Sequence, residues 1–108
     1  MVIKSDLICD LFSWFFKVGG ITIWPFIIVR EGTSERTIRH EKIHIAQYNE
    51  TLVIGFLIIY LFEWLRNLLL FGNAREAYRN IRFEKEAYAH SRHIHYLSLR
   101  PRYAWWRY

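Results

Sequence analysis

An internal disulfide framework is excluded, because the sequence contains a single cysteine, Cys9. Internal repeats and low-complexity segments are also absent, which excludes a repeat architecture. With 108 residues the chain has room for one hydrophobic core, which must stabilise the fold alone or with help from something bound to it. We therefore predict a single domain over residues 1–108.

Acidic residues are few in relation to basic ones, since 10 Asp and Glu stand against 15 Lys and Arg, for a net charge of +5. The chain has a basic aromatic tail, residues 99–108, whose composition is typical of segments that bind nucleic acid or a membrane interface. Because 53% of the residues are apolar and no nucleic-acid motif is present, we expect a membrane surface or bilayer as the partner rather than nucleic acid. The same apolar excess suits an oligomer or a larger assembly.

A long hydrophobic run is missing too. Thr51–Phe62 is uncharged but short, whereas a membrane-spanning helix needs about 20 apolar residues. Extension to Phe71 reaches that length but takes in Glu63 and Arg66, whose spacing predicts an ion pair on one helix face. A membrane crossing, a half-buried hairpin and a buried core helix are all consistent with this segment.

The patterns that are present predict a mainly helical chain with a short β edge, in the α+β class. An amphipathic N-terminal helix is expected within residues 1–20, because apolar residues recur at helical spacing over Leu7–Val18. That stretch is too short and too acidic for a cleavable signal peptide. Ile21–Val29 is β-branched and aromatic with Pro25 inside it, which predicts an extended edge segment and not a central strand.

Two longer helices should follow. The first is predicted from Ile38 to about Leu70 with a break near Gly55, and Thr37 is the favoured N-cap among the hydroxyl residues before it. Gly72-Asn73 then predicts a turn between helices. The second helix is predicted from Ala74 to about Leu97. Residues 21–98 would form the core of the domain.

The start of the first helix reads HEKIH, residues 40–44. His40 and His44 lie about one turn apart on one helix face, so both can direct ring nitrogens at one metal ion. Zinc accepts such a pair and leaves room for a third ligand and a water. Glu41 projects beside the histidines, where it can take a proton from that water.

A third ligand has to come from elsewhere in the chain. Glu50 cannot supply it, because in an unbroken helix it lies roughly 15 Å along the axis from His40. Gln47 is one turn beyond His44 and is suited to a hydrogen bond with a ligand or to a substrate contact. Glu84 lies in an otherwise apolar stripe, where a carboxylate must be paired, protonated or bound to a cation. We therefore predict Glu84 as the third ligand.

Other side chains compete for these roles. Glu86 is predicted to be a surface residue or a partner behind the ligands. His90, His93 and His95 form an alternative metal-binding group. Their surroundings are rich in positive charge, which disfavours a metal ion.

The two motifs together, His40-Glu41-Lys42-Ile43-His44 and Glu84-Lys85-Glu86-Ala87, resemble the gluzincin pattern of HExxH on one helix and ExxA on the next. The short chain resembles the minimal members, the minigluzincins, and small membrane-associated phage and bacterial HExxH proteins. Over about residues 21–90 the resemblance implies an HExxH helix packed against an ExxA helix. It also implies zinc bound by His40, His44 and Glu84, with Glu41 as the base. Both glutamates match parts of such motifs, so the resemblance leaves Glu86 open.

On this basis we expect a membrane-associated zinc metallopeptidase that hydrolyses a peptide or protein substrate with a zinc-activated water. Tyr78 and Tyr88 are the candidates for stabilising the oxyanion, and Ile21–Val29 is the main sheet edge that a peptide could join. The alternative is a non-enzymatic membrane-interacting accessory or structural protein, of viral or phage type, with a structural or vestigial metal site.

Overall fold

The structure, a computed structural model, describes residues 2–12 and 20–108. The strands are β1 (Val2–Lys4), β2 (Gly20–Ile23) and β3 (Phe26–Val29), and the helices are α1 (Asp6–Phe12), α2 (Glu35–Glu50), α3 (Ile54–Phe71), α4 (Ala74–Arg79), α5 (Arg82–His90) and α6 (Tyr96–Leu99). A short 3-10 helix, Ala104–Arg107, follows α6. A mainly helical chain with one small sheet confirms the predicted α+β class.

The three strands form one sheet in the order β1-β3-β2, with β1 parallel and β2 antiparallel to β3. The prediction of a single edge segment over Ile21–Val29 is wrong, because Trp24-Pro25 forms a turn between two strands. Proline has no N–H to donate to a sheet, and here it lies where the chain reverses. β3 is therefore the central strand, and β2 is an edge strand that packs against α2.

The N-terminal helix is confirmed only over Asp6–Phe12. The Ser5 hydroxyl accepts the backbone N–H of Ile8, which starts this helix with only Ser5 between it and β1. Ahead of this helix, Val2–Lys4 forms a strand that pairs with β3 and that the sequence pattern did not predict. Residues 13–18 of the predicted helix lie outside the described residues.

The helix predicted from Ile38 to Leu70 is two helices. α2 begins earlier than expected, because Ser34 and not Thr37 is the N-cap: its hydroxyl accepts the backbone N–H of Thr37. The break lies at Leu52 and Val53, whose φ angles are 58° and 65°. Residues other than glycine rarely adopt a positive φ. Because a right-handed helix needs a negative φ at every residue, α2 and α3 are separate helices.

The last predicted helix, Ala74–Leu97, is wrong as a single element, since it is divided into α4, α5 and α6. Glu63 on α3 accepts the backbone N–H of Arg82 at the first position of α5, and it binds the guanidinium of the same residue. The predicted Glu63–Arg66 ion pair is therefore wrong. The turn predicted at Gly72-Asn73 is confirmed.

The tail contributes to the main core. That core consists of the buried side chains Tyr48, Phe56, Ile81, Phe83 and Trp105. The ring of Trp105 lies 4.8 Å from that of Phe83, centroid to centroid. Trp106 beside it is 67% exposed. Part of the basic aromatic tail is thus structural, and part of it faces outward.

Candidate metal centre

α2 and α5 bring three of the predicted site residues together in the protein interior. The Nε2 atoms of His40 and His44 lie 3.1 Å and 3.2 Å from Oε1 of Glu84, and 3.2 Å from each other. All three side chains are buried. Within residues 2–12 and 20–108 this is the one group of His, Cys, Asp and Glu side chains found in a metal-binding arrangement.

The spacing of the three atoms fits a metal ion. Ligand atoms that lie about 2.0–2.1 Å from a tetrahedral zinc ion are roughly 3.3 Å apart. The three measured separations of 3.1 to 3.2 Å are close to that value. Two imidazoles and one carboxylate are also donor types that zinc and related divalent ions accept. The group could therefore hold a metal ion.

Tyr60 on α3 orients the carboxylate of Glu84. Its hydroxyl donates to Oε2 at 2.8 Å, which leaves Oε1 facing the two imidazoles. Such a bond fixes a ligand in position before the ion binds. Tyr60 was not predicted from the sequence, where its one signal is a hydroxyl in the middle of the apolar run Thr51–Phe62.

Gln47 determines the orientation of the His44 ring. Its amide nitrogen donates to the Phe83 carbonyl at 3.0 Å and to Oε1 of Glu86 at 2.9 Å, and neither of these can donate in return. The amide oxygen must therefore be the atom that lies 2.7 Å from Nδ1 of His44. Nδ1 carries the hydrogen, and Nε2 of the neutral ring presents its lone pair to the site. The hydrogen bond predicted for Gln47 is confirmed.

Glu86 is not a surface residue, and that part of its prediction is wrong because its side chain is fully buried. It accepts hydrogen bonds from Gln47, from the Tyr96 hydroxyl and from the guanidinium of Arg100. Arg100 also donates to both oxygens of Glu50, at 2.7 Å and 2.9 Å. Burial would raise the pKa of Glu86, but the hydrogen bonds, that of Arg100 first, hold it below its usual value. Glu86 thus anchors Gln47 behind the ligands.

The charges of the site stabilise one another. Burial would raise the pKa of Glu84, but the imidazoles of His44 and His40 outweigh it and hold that pKa well below its usual range. Burial would lower the pKa of His44, but the charge and hydrogen bond of Glu84 raise it to about 9. At neutral pH the metal-free site therefore contains a carboxylate and a protonated His44.

Glu41 lies beside the ligands and not among them. Its Oε2 accepts the hydroxyl of Thr22 on β2 at 2.7 Å. Burial raises the pKa of Glu41, and the nearby His44 and His40 oppose that rise. A buried carboxyl group with a raised pKa is suited to accept and return a proton.

A cavity of about 670 Å³ lies next to Glu41, His44 and Glu84. Its size is in the range of small-molecule and peptide side-chain pockets. The other walls come mainly from β2 and from α3, which contributes Leu57 and Leu61 among others. No Lys or Arg is present in the part of the cavity wall that the described residues form.

The competing histidines are used in other ways. His90 stacks on Tyr96 with 3.9 Å between ring centroids, and its Nε2 is hydrogen-bonded to the Tyr108 hydroxyl. The rings of His93 and His95 are 6.5 Å apart. In the part of the chain that the structure describes, these three histidines do not form a metal-binding group.

The two tyrosines predicted to stabilise an oxyanion contact each other. The hydroxyls of Tyr78 and Tyr88 are 3.0 Å apart. Tyr78 lines the cavity, whereas the ring of Tyr88 packs against that of His40 with 4.5 Å between centroids. Of the two, Tyr78 is the one that can reach a molecule in the cavity.

Comparison with known proteins adds no relative, because no protein-family model, no curated protein and no solved structure matches the chain. A function for this chain therefore has to be argued from the chemistry of the site.

Proposed function

We propose that the chain is a membrane-associated zinc metallopeptidase with a minigluzincin-like arrangement of its two motif helices. The observation that carries the proposal is the buried triangle of His40 Nε2, His44 Nε2 and Glu84 Oε1, with Glu41 on the wall of the same cavity. Catalytic zinc sites take three protein ligands and keep one position for water, whereas structural zinc sites take four. Three ligands beside a cavity therefore favour a reactive site.

The surrounding residues can perform the proton transfers of hydrolysis. Bound zinc would act as a Lewis acid and bring the pKa of a water molecule near neutrality. Glu41, held by Thr22, accepts the proton of the attacking water and returns it to the leaving amine. Tyr60 and Gln47 keep the ligands oriented, and Tyr78, which lines the cavity, would donate to the developing oxyanion.

The outer face of α3 supports the membrane part of the proposal. The helix has 18 residues with a mean hydropathy of 1.7, and 17% of it is buried. Its exposed apolar side chains are Ile54, Leu57, Ile58, Leu61, Phe62, Leu65, Leu69, Leu70 and Phe71. At about 1.5 Å per residue the helix is roughly 27 Å long, close to the thickness of the hydrocarbon layer. Glu63 and Asn67 face the protein, so the outer face is free to contact lipid.

The same face also fits a second candidate function. In that case the chain is a non-enzymatic membrane protein of accessory or structural type, and the metal serves only to tie α2 to α5. Glu41 then has no reactive role, because a metal ion that only stabilises the fold needs no general base.

Replacement of Glu41 separates the two candidates. We expect zinc-loaded Glu41→Gln protein to keep the zinc of the wild type and to lose about 100-fold or more of its hydrolysis of a mixed peptide library. Glu76→Gln, which changes an exposed glutamate on α4, is the matched control and should keep full activity. Equal hydrolysis by wild type and Glu41→Gln contradicts the mechanism, and no hydrolysis by zinc-loaded wild type favours the non-enzymatic candidate.

A further inference from the structure

The cavity beside Glu41 continues into the outer face of α3. Leu57 and Leu61 line the cavity, yet they are 54% and 57% exposed. Their spacing places them one turn apart on one side of the helix. They belong both to the cavity wall and to the exposed apolar face, so the cavity reaches the surface that contacts lipid in the proposed function.

The cavity offers little to a charged or polar side chain. Its carboxylate and imidazole groups are those of Glu41, His44 and Glu84, all of which belong to the metal centre. The hydroxyls of Tyr48 and Tyr60 in the lining are hydrogen-bonded to the Thr22 carbonyl and to Glu84. The apolar lining residues are Ile21, Ile23, Phe56, Leu57, Leu61, Trp64 and Ala74. A polar group buried without a partner weakens a complex by about tenfold or more, and a charged group weakens it further. The cavity therefore favours apolar side chains.

The edge of β2 provides only limited main-chain recognition. The strand has four residues, and the carbonyl of Thr22 already accepts the hydroxyl of Tyr48 at 3.0 Å. A polypeptide laid along this edge would share that carbonyl with Tyr48. Recognition of a substrate therefore depends mainly on the apolar walls.

We propose that the substrate is an apolar polypeptide segment that reaches the cavity from the bilayer, between β2 and α3. This inference rests on the proposed peptidase function and names its substrate class. Segments within or next to the membrane-spanning stretches of other proteins have this chemistry, because they carry long runs of apolar side chains without charge. Soluble peptides with charged residues at the centre do not.

Binding to the full chain in bilayer discs tests the inference without hydrolysis. The protein is Glu41→Gln, and the probes are a labelled uncharged apolar peptide and a peptide of equal length with Lys and Asp at its centre, both corrected for binding to protein-free discs. The first variant adds Leu57→Gln and Leu61→Gln. Its matched control adds Leu65→Gln and Leu69→Gln, which change two leucines at the same spacing on the exposed face but outside the cavity wall.

We expect the cavity pair to weaken binding of the apolar peptide by about tenfold or more, and the control pair to change it by about twofold or less. The charged peptide should bind at least about tenfold more weakly than the apolar one. A third variant, Leu61→Trp, keeps an apolar side chain and narrows the cavity, and it should also weaken binding. Equal losses from the two pairs, or equal binding of the two peptides, overturn the inference.

Hydrolysis by zinc-loaded wild type then distinguishes this inference from the function it rests on. If the apolar peptide binds selectively but is not cleaved, the peptidase proposal fails and the inference about the ligand stands. If both peptides are cleaved at similar rates, the chain is a peptidase and the proposed substrate class is wrong.

Discussion

Replacement of Arg100 by methionine should destabilise the fold severely. The guanidinium is 5% exposed and lies between the carboxylates of Glu86 and Glu50, which are 0% and 12% exposed. Methionine keeps an apolar stem but leaves two neighbouring carboxylates without their cation. Removal of one partner from a buried ion pair costs about 3–5 kcal/mol, and a domain of this size has about 5–15 kcal/mol of stability in total. We expect the free energy of unfolding at pH 7 to fall by about 3–5 kcal/mol.

The sign of the pH dependence follows from Glu86. Its pKa in the folded protein is below the ordinary value of 4.5, because the hydrogen bonds led by Arg100 outweigh burial. A lowered carboxyl pKa stabilises the fold above the unfolded-state pKa, and that stabilisation is lost as the pH falls through the folded-state pKa. The difference between wild type and Arg100→Met should therefore be greatest near neutral pH and should shrink at acidic pH.

The assay is urea unfolding in one detergent at several pH values, followed by the fluorescence of the tryptophans. Arg102→Met, which changes an exposed arginine two residues further along the chain, is the control and should have little effect. A loss below about 1 kcal/mol for Arg100→Met at pH 7, or a loss that is the same at all pH values, refutes the reasoning.

The metal centre leads to three more expectations. Zinc binding near pH 7 should release about one proton and tighten about tenfold per pH unit, because His44 has a pKa of about 9 in the metal-free site and must lose its proton. Calorimetry in buffers of different ionisation enthalpy measures this, and binding without proton release contradicts it. Tyr60→Phe frees Oε2 of Glu84 and should weaken zinc affinity by about 10–100-fold in competition with a chelator, whereas an unchanged affinity denies the hydroxyl a positioning role. Gln47→Leu should weaken affinity to a similar extent. In metal-free protein above about pH 9, where His44 is neutral, it should also remove the preference for the Nδ1–H tautomer, which the ring ¹⁵N chemical shifts report; a preserved preference rules out a role of the Gln47 amide in setting it.

The parts of the site that local periodicity controls could be predicted from the sequence. The spacing of His40 and His44 depends only on the period of a helix, and Glu84 was distinguished by its place in an apolar stripe. The structure brings these three together, and it places Glu86 behind them. No pattern could predict that Arg100 would form an ion pair with the buried carboxylate of Glu86. The two residues meet only because the tail folds onto the core.

Competition between local and distant partners explains the main errors. Glu63 was expected to pair with Arg66 one turn away, but Arg82 offers both a guanidinium and a backbone N–H at the start of a helix. That N–H has no partner within its own helix, so the distant residue is the better one. The sequence does not show that the backbone N–H of Arg82 lies within hydrogen-bond distance of Glu63.

The central claim is the metal centre, and its most direct test is the zinc content per chain of the detergent-purified protein. Wild type should contain about one zinc ion per chain, while His40→Ala and Glu84→Ala should lose most of it, because each removes one of the three ligands, the first from α2 and the second from α5. The account would be contradicted if wild type contained no zinc, or if both variants contained as much zinc as wild type.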